Sequence, residues 1–296
     1  MPVFERPPLN SLTPAKDRWT PLYLEKGRLE VDDASVKFIN AEKKVFPIPV
    51  ATVSSLILGP GTTLTHAAIK TAAQSNCPIF WLGEDGMRFY AYGMTPNHDN
   101  SMARLHATAW ATPQSRNEIA RRMFRYRFPE VECSGTTLKQ LRGMEGRRVK
   151  KIYQELGQQF GVSWKGRHYN ANNWHLADSI NRALSAATAS HYALTAAVCV
   201  SMGFIPQLGF VHQAGTLPFI YDIADLYKKE ISWAAAFETI SIDPADQGDR
   251  VRRILKRNVE QTQLMKKMPR DLKDLFQGFD KIKPVSDHPL QPQNNQ

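Results

Sequence analysis

"GMTPNHDNS", residues 93–101, marks where the hydrophobic period of the chain changes. Before it, apolar residues come in short β-branched and aromatic runs broken by Gly, Pro and Asp. After it, they recur at steps of three and four, the spacing of one helical face. The change predicts an α+β chain of two domains. A small β-sandwich-like domain is expected at 1–95, a linker at 96–101, and a larger all-helical domain at 102–280. The last residues, 281–296, are Pro- and Gln-rich with little to bury, and are expected to be a disordered tail.

Working outward from that boundary, "PLYLEKGRLEV" and "ASVKFIN" read as strands, with Gly27 and Asp32-Asp33 as turn signals. Pro47 and Pro49 push the next run toward a sheet edge. "THAAIKTAAQSN" reads as a short helix capped by Thr65, and "CPIFWLG" with "MRFYAYG" as a hairpin across Glu84-Asp85-Gly86. Helices are expected near 102–128, 137–160, 176–202, 222–240, 246–268 and 270–277.

With 296 residues and 42% apolar content, the chain can bury a sizeable core. Its longest apolar runs fall short of the ~20 residues of a membrane span. The opening residues lack the basic start and cleavage site of a signal peptide. Cys77, Cys133 and Cys199 form no C-x-x-C pair, which predicts free thiols in a reducing cytoplasm. Lys and Arg number 38 against 28 Asp and Glu, a net +10. The excess is clustered. Arg121, Arg122, Arg125 and Arg127 lie in "RRMFRYRF", Arg147 and Arg148 in "GRRVKK", and Arg250, Arg253 and Arg257 on one helical face of "DRVRRILKR". Arg88, after the hairpin turn, adds to a set suited to a polyanionic backbone.

Within that basic chain, "TLKQLRGMEGRRVKKIYQEL", residues 137–156, carries an anomaly. Glu145 stands four after Leu141 and four before Val149, in line with the apolar stripe of Leu138, Ile152 and Leu156. A carboxylate there must meet a cation, because burying it alone costs several kcal/mol. "GFVHQAGTLPFIYDIADLYKK", residues 209–229, supplies His212 and then Asp222 and Asp225 at what reads as the start of a helix. Each has a structural reading: Asp222 as an N-cap, Asp225 as a third-position acid, His212 as a core histidine. Together with Glu145 they make three carboxylates and one imidazole, a set too hard and anionic for structural zinc and suited to Mg²⁺ or Mn²⁺. Gly143 and Gly146 would let another backbone or a nucleic-acid strand approach. Without metal these carboxylates are expected to repel one another. Glu145→Ala would then melt at or above the wild type in chelator.

"LRGMEGRRV", "GFVHQAG" and "FIYDIADLYK" closely resemble the metal-site motifs of the CRISPR-associated integrases, the family of Cas protein one. "LGPGTTLTHAAI" and "IFWLGEDGMRFYAYG" look like signatures of its N-terminal domain. "GVSWKGRHYNANNWHLADSINRALSAATASHYALTAAV" is similar to the type I-E branch. The resemblance implies an N-terminal β-sandwich joined to a helical domain, with Glu145, His212 and Asp225 as metal ligands and Asp222 an acidic neighbour needed for activity. It also implies that Tyr169, Trp174 and Tyr192 line the DNA-substrate region. The implied partners are double-stranded DNA, a second copy of the chain, and a small ferredoxin-like adaptation protein in a 4:2 complex. Lys26 and the Gln213-Ala214-Gly215 loop depart from the type I-E pattern.

The function expected is metal-dependent DNA cutting and integration, in which a 3′-hydroxyl exchanges one phosphodiester for another. No G-x-x-x-x-G-K-[ST] phosphate loop is found, in keeping with a reaction that needs no nucleotide. Two alternatives stand beside it. A basic DNA-binding scaffold would bind equally in chelator and never nick. A hydrolase of small phosphoesters would ignore added duplex.

Overall fold

The computed structural model describes residues 22–32, 35–53, 55–83, 89–93, 100–129, 136–167, 178–244 and 249–279. Arg88, Tyr169, Trp174, Cys133 and the 281–296 segment lie outside them, as does most of 96–101. The β-rich part runs β1 (Leu22–Leu24), β2 (Gly27–Asp32), β3 (Ser35–Asn40), β4 (Val45–Ile48), β5 (Leu56–Leu58), β6 (Thr62–Leu64), α1 (His66–Gln74), β7 (Ile79–Leu82) and β8 (Phe89–Gly93). It forms two four-stranded sheets, ordered β1-β5-β7-β8 and β4-β3-β2-β6. β7 and β8 pair antiparallel, Phe80 opposite Tyr92, as the hairpin reading expects. Thr65 Oγ1 accepts from Ala68 N at 3.2 Å and caps α1. β4 lies at a sheet edge, where Pro47 costs no ladder bond on its outer side.

The central strands β5 and β7 of the β1-β5-β7-β8 sheet are buried on both faces, whereas Tyr23 on β1 and Tyr90 on β8 are exposed. Leu56, Leu58 and Ile79 pack with Leu29, Val36, Phe38, Ala68 and Ala72 against the second sheet and α1. Ile57, Phe80 and Leu82, pointing the opposite way along the pleat, join the helical core. A strand buried on both faces reads as an unbroken apolar run, which is why β5 is simply Leu-Ile-Leu.

The helical part runs α2 (Ser101–Ala111), α3 (Pro113–Arg127), α4 (Leu138–Phe160), α5 (Ser179–Ser201), α6 (Pro218–Asp225), a π-helical turn (Lys229–Trp233), α7 (Ala234–Ile242), α8 (Asp249–Gln261) and α9 (Leu264–Phe276). Three expected boundaries shift. The helix read at 102–128 is two, because Thr112 is extended (ψ 113°) ahead of Pro113 at the first position of α3. The helix read from 222 begins at Pro218, so Asp222 lies mid-helix and Asp225 ends it. The last two helices part at Gln263, which takes the left-handed conformation (φ 49°), and Pro269 falls inside α9. α4 behaves as read: Thr137 and Gln140 form a capping box, and Gly161 closes it at φ 65°.

α5 runs through the centre of the helical part. By length and composition alone it could cross a membrane, which corrects the expectation that no apolar run is long enough. Here it is mostly buried, with Ala183, Ala186, Ala187, Ala193, Ala196 and Ala197 letting neighbouring helices pack closely.

Candidate active site

The site begins with a loop held from behind. His106 on α2 is fully buried against the rings of Phe204, Phe210, Phe219 and Phe276. Its Nδ1 accepts from Ile205 N at 3.1 Å, so its Nε2–H donates to Leu208 O at 2.9 Å. Burial pushes its pKa down to about 4, outweighing the Leu208 bond, and keeps the ring neutral. Trp110 Nε1 donates to Gly209 O at 3.0 Å. A Cβ at Gly209 would come within 2.2 Å of His212 O and 2.7 Å of Pro218 Cβ, so only glycine fits where the loop crosses the start of α6. Nothing in the sequence singled out His106 or Trp110; their signal is the fold itself.

This loop delivers His212 to Asp222. Asp222 Oδ2 accepts from Phe210 N at 2.6 Å and Val211 N at 3.0 Å. Its Oδ1 accepts from His212 N at 2.8 Å and from His212 Nδ1 at 2.7 Å. The side chain is fully buried and all its bonds stay within the chain. The N-cap reading of Asp222 is therefore corrected: it organises the 210–212 loop and fixes the imidazole with Nδ1 toward itself. Nε2 is left available as a lone pair. The hydrogen bond to Asp222 raises the His212 pKa above the usual histidine range, against desolvation.

Arg127, at the end of α3, meets the other two acids. Its Nη1 pairs with Glu145 Oε1 and lies 3.4 Å from Asp225 Oδ2. Arg127 and Asp225 are each only 10% exposed and Glu145 18%. Lys228, one turn beyond Asp225, pairs with Asp225 Oδ1 and donates to Tyr192 Oη at 2.8 Å. Burial alone would raise the Asp225 pKa, but Lys228 and Arg127 outweigh it and hold it below the usual carboxylate range. Lys228 is held well above its usual value by Asp225 and Tyr192 despite desolvation. Arg142, one turn before Glu145, donates to Val211 O and ties α4 to the histidine loop.

Thus the sequence expectation that Glu145 must meet a cation is met by an arginine, and the expectation of unrelieved repulsion between the acids is corrected. Glu145 and Asp225 share Arg127; His212 and Asp222 form a second pair beside them. Met123, Phe124, Arg127, Val211, His212, Asp222 and Asp225 line one small cavity of ≈ 10 Å³. Among the described residues, no three His, Cys, Asp or Glu side chains converge closely enough to hold a metal ion. The donor set nevertheless fits a hard divalent cation in kind: two carboxylates and an imidazole nitrogen freed by its acidic neighbour. Among the described residues, nothing outside the helix's own backbone lies within 4 Å of a Cβ at Gly143 or Gly146, so packing there does not require either glycine.

The arginines divide by what they touch. Arg122 donates to Leu275 O at 3.0 Å and Gln277 O at 2.9 Å and pairs with Glu118, tying α3 to the end of α9. Its side chain is thus committed within the chain rather than to a phosphate. Arg121 is half-buried beside it. Arg257 pairs with both Glu238 oxygens, at 2.7 and 2.5 Å, and Arg250 lies 3.5 Å from Asp243. Arg148 stacks over Phe128, whereas Arg147 and Arg253 are exposed. Tyr192 packs against Tyr221, ring centres 4.8 Å apart, and its hydroxyl accepts from Lys228.

Comparison with known proteins gives these features a context. The family described as CRISPR associated protein Cas1 matches residues 22–130 and 125–253. A CRISPR-associated endonuclease Cas1 of Chlorobaculum tepidum is 42% identical over 240 residues, 81% of each chain. That of Escherichia coli K12 is 38% identical over 246 residues, 83% of this chain and 80% of its own. A crystal structure of a TtCas1–DNA complex superposes with a TM-score of 0.74 at 39% identity, covering 88% of this chain and 97% of that one. Fold, acid–histidine pocket and relatives together define the class, that of CRISPR-associated nucleases. The chain belongs to the Cas1 family.

Proposed function

We propose that this protein is a divalent-metal-dependent DNA endonuclease and integrase of CRISPR adaptation. It would insert short duplexes into a CRISPR array by attack of a 3′-hydroxyl on a phosphodiester. The observation that carries this reading is that Arg127, which lines one pocket with His212 and Asp225, also pairs with Glu145, in a family whose matched relatives are named endonucleases. Glu145, Asp225 and His212 Nε2 would hold Mg²⁺ or Mn²⁺. Such an ion polarises a phosphoryl oxygen and orients the attacking oxygen. Asp222 acts as a positioning residue, keeping the His212 proton on Nδ1. Arg127 and Lys228 would face the phosphate, and exposed Arg147 and Arg253 would hold the duplex by backbone contacts.

The DNA in the TtCas1 complex supports DNA as the substrate, and a double-stranded form is part of this proposal. A solved Cas6-RT-Cas1–Cas2 complex, 15% identical with a TM-score of 0.65, shares the fold; a small adaptation protein is accordingly proposed as partner here. We include a homodimer, a 4:2 assembly with that partner, and a cytoplasmic location in the same reading.

The test uses purified protein with a splayed duplex, a supercoiled array plasmid and Mn²⁺, with and without the partner. Nicking and joining should require the metal. They should fall at least about 100-fold in Glu145→Ala, His212→Ala and Asp225→Ala, with duplex binding retained. Cutting that persists in chelator, or in Glu145→Ala, would overturn the reading.

A further inference from the structure

We propose that Arg127 is an internal counter-cation which divalent metal and DNA phosphate displace jointly, so that metal loading and DNA binding are thermodynamically coupled at this site. The proposal rests on the reading of Glu145 and Asp225 as metal ligands and adds how that site is loaded.

The charges come first. Glu145 and Asp225 contribute two negative charges and Arg127 and Lys228 two positive ones, all on side chains at most 18% exposed. With neighbouring Asp222 counted and His212 neutral so that Nε2 is free, the site carries one net negative charge. Adding a dication without moving a cation would leave an uncompensated positive charge in a poorly solvated place, which is unfavourable. A resident cation must give way.

The space says which one and where it goes. The cavity between Arg127, His212 and Asp225 is ≈ 10 Å³, barely the room of one water. An ion shared by Glu145 and Asp225 would take the position that the Arg127 guanidinium now holds, because among the described residues it is Arg127 that touches both carboxylates. Lys228 is held apart, by Asp225 Oδ1 and the Tyr192 hydroxyl. Arg127 and Asp225 also line a second cavity, of ≈ 510 Å³. Lys229, Lys267 and Arg270 stand in its wall against two acids, Glu230 and Asp271, and Asp271 is already engaged by Tyr126, Tyr227 and Arg270. A guanidinium leaving the carboxylates enters a cavity whose wall is already net positive, so its arrival is favoured by a further anion. A backbone phosphate is an anion of the right kind: it accepts bidentate bonds from arginine and neutralises the cationic wall.

The result is an exchange of partners. The carboxylates pass from arginine to metal, and the arginine from carboxylate to phosphate. Each ligand removes an obstacle to the other, so each must raise the other's affinity by the same factor. Protein without DNA should then bind metal weakly, which limits indiscriminate cutting.

The experiment is titration of Mn²⁺ by electron paramagnetic resonance, reading the free-ion signal, with and without a short splayed duplex. Wild type, Arg127→Gln and Glu145→Ala are compared, the last correcting for Mn²⁺ held by the DNA itself. The duplex should raise wild-type affinity about tenfold, within the ordinary range of coupling. Arg127→Gln should bind Mn²⁺ about tenfold tighter than wild type without DNA, and gain less than about twofold from the duplex. If Glu145→Ala binds Mn²⁺ as well as wild type, the metal-site reading fails and this inference with it. If Glu145→Ala loses the ion but Arg127→Gln binds no tighter than wild type, the inference alone is overturned. Should Arg127→Gln fail to fold by circular dichroism, the wild type decides: affinity unchanged by duplex overturns the coupling.

Discussion

Replacing Asp222 by Asn preserves size but turns one acceptor oxygen into a donor, facing the N–H groups of Phe210, Val211 and His212. At least one buried N–H loses its partner, and His212 Nδ1 can lose its own. The expected loss is about 2–4 kcal/mol of stability. Glu145→Ala is milder, because Arg127 keeps Asp225 at 3.4 Å, and about 1–2 kcal/mol is expected from a pair that is partly exposed. Urea unfolding in chelator measures both. An Asp222→Asn variant as stable as Glu145→Ala would mean that the carboxylate does not organise the loop. Glu145 was legible as anomalous because its position on α4 follows from spacing alone. Its partner was not, since Arg127 lies 18 residues earlier and reaches it only through the crossing of α3 on α4. In the sequence Arg127 reads as one more member of a basic cluster.

The segment that carries His212 depends at the level of elements on how closely a loop can lie on a helix start. Gly209→Ala places a methyl against His212 O and Pro218, both of them backbone-fixed. The overlap cannot be relieved by a rotamer change, so a loss of about 2–4 kcal/mol and displacement of His212 are expected. Urea unfolding reads the first, and the imidazole NMR shifts of His212 the second; unchanged values for both would mean the loop has slack. The beginning of α6 was open to reading in the sequence, since Pro218 is a first-position signal. Two aspartates three apart imitate a capping pattern and drew the boundary to residue 222 instead. No sequence cue could reveal that His106 on α2 would brace the loop at Leu208 and Ile205, because that contact spans about 100 residues.

For the molecule as a whole, two buried histidines set the response to acid. Desolvation lowers His106 to about 4 and His191 to about 3, from 6.5. Below pH 6.5 the unfolded chain takes up protons at both positions that the folded chain refuses, so stability falls as pH falls. His212, raised by Asp222, acts in the opposite sense, with its contribution present at low pH and lost as pH rises through its folded value. It is 41% exposed, so the two buried rings dominate. At pH 5, stability should be roughly 4 kcal/mol below that at pH 7.5, about 2 from each buried ring. A urea midpoint equal or higher at pH 5 would contradict this. The net charge of +10 was plain from composition. Which arginines stay available for DNA was not, because Glu238, Asp243 and the end of α9 engage their partners through tertiary folding.

Central strands buried on both faces, β5 and β7, have a calorimetric consequence. Ile57, Phe80 and Leu82 belong to the helical core while their strand neighbours belong to the other one, so neither core can melt and leave the sheet intact. The β-rich and helical parts should absorb heat in one endotherm whose van't Hoff and calorimetric enthalpies agree. Phe80→Ala, costing about 3–5 kcal/mol, should move that single peak downward without splitting it. Two peaks in the parent protein would mean that the shared sheet does not couple the parts. A single one would mean that residues 22–93 owe part of their persistence to helices that begin beyond them, and that a protease cutting between the two would release fragments that do not stay folded.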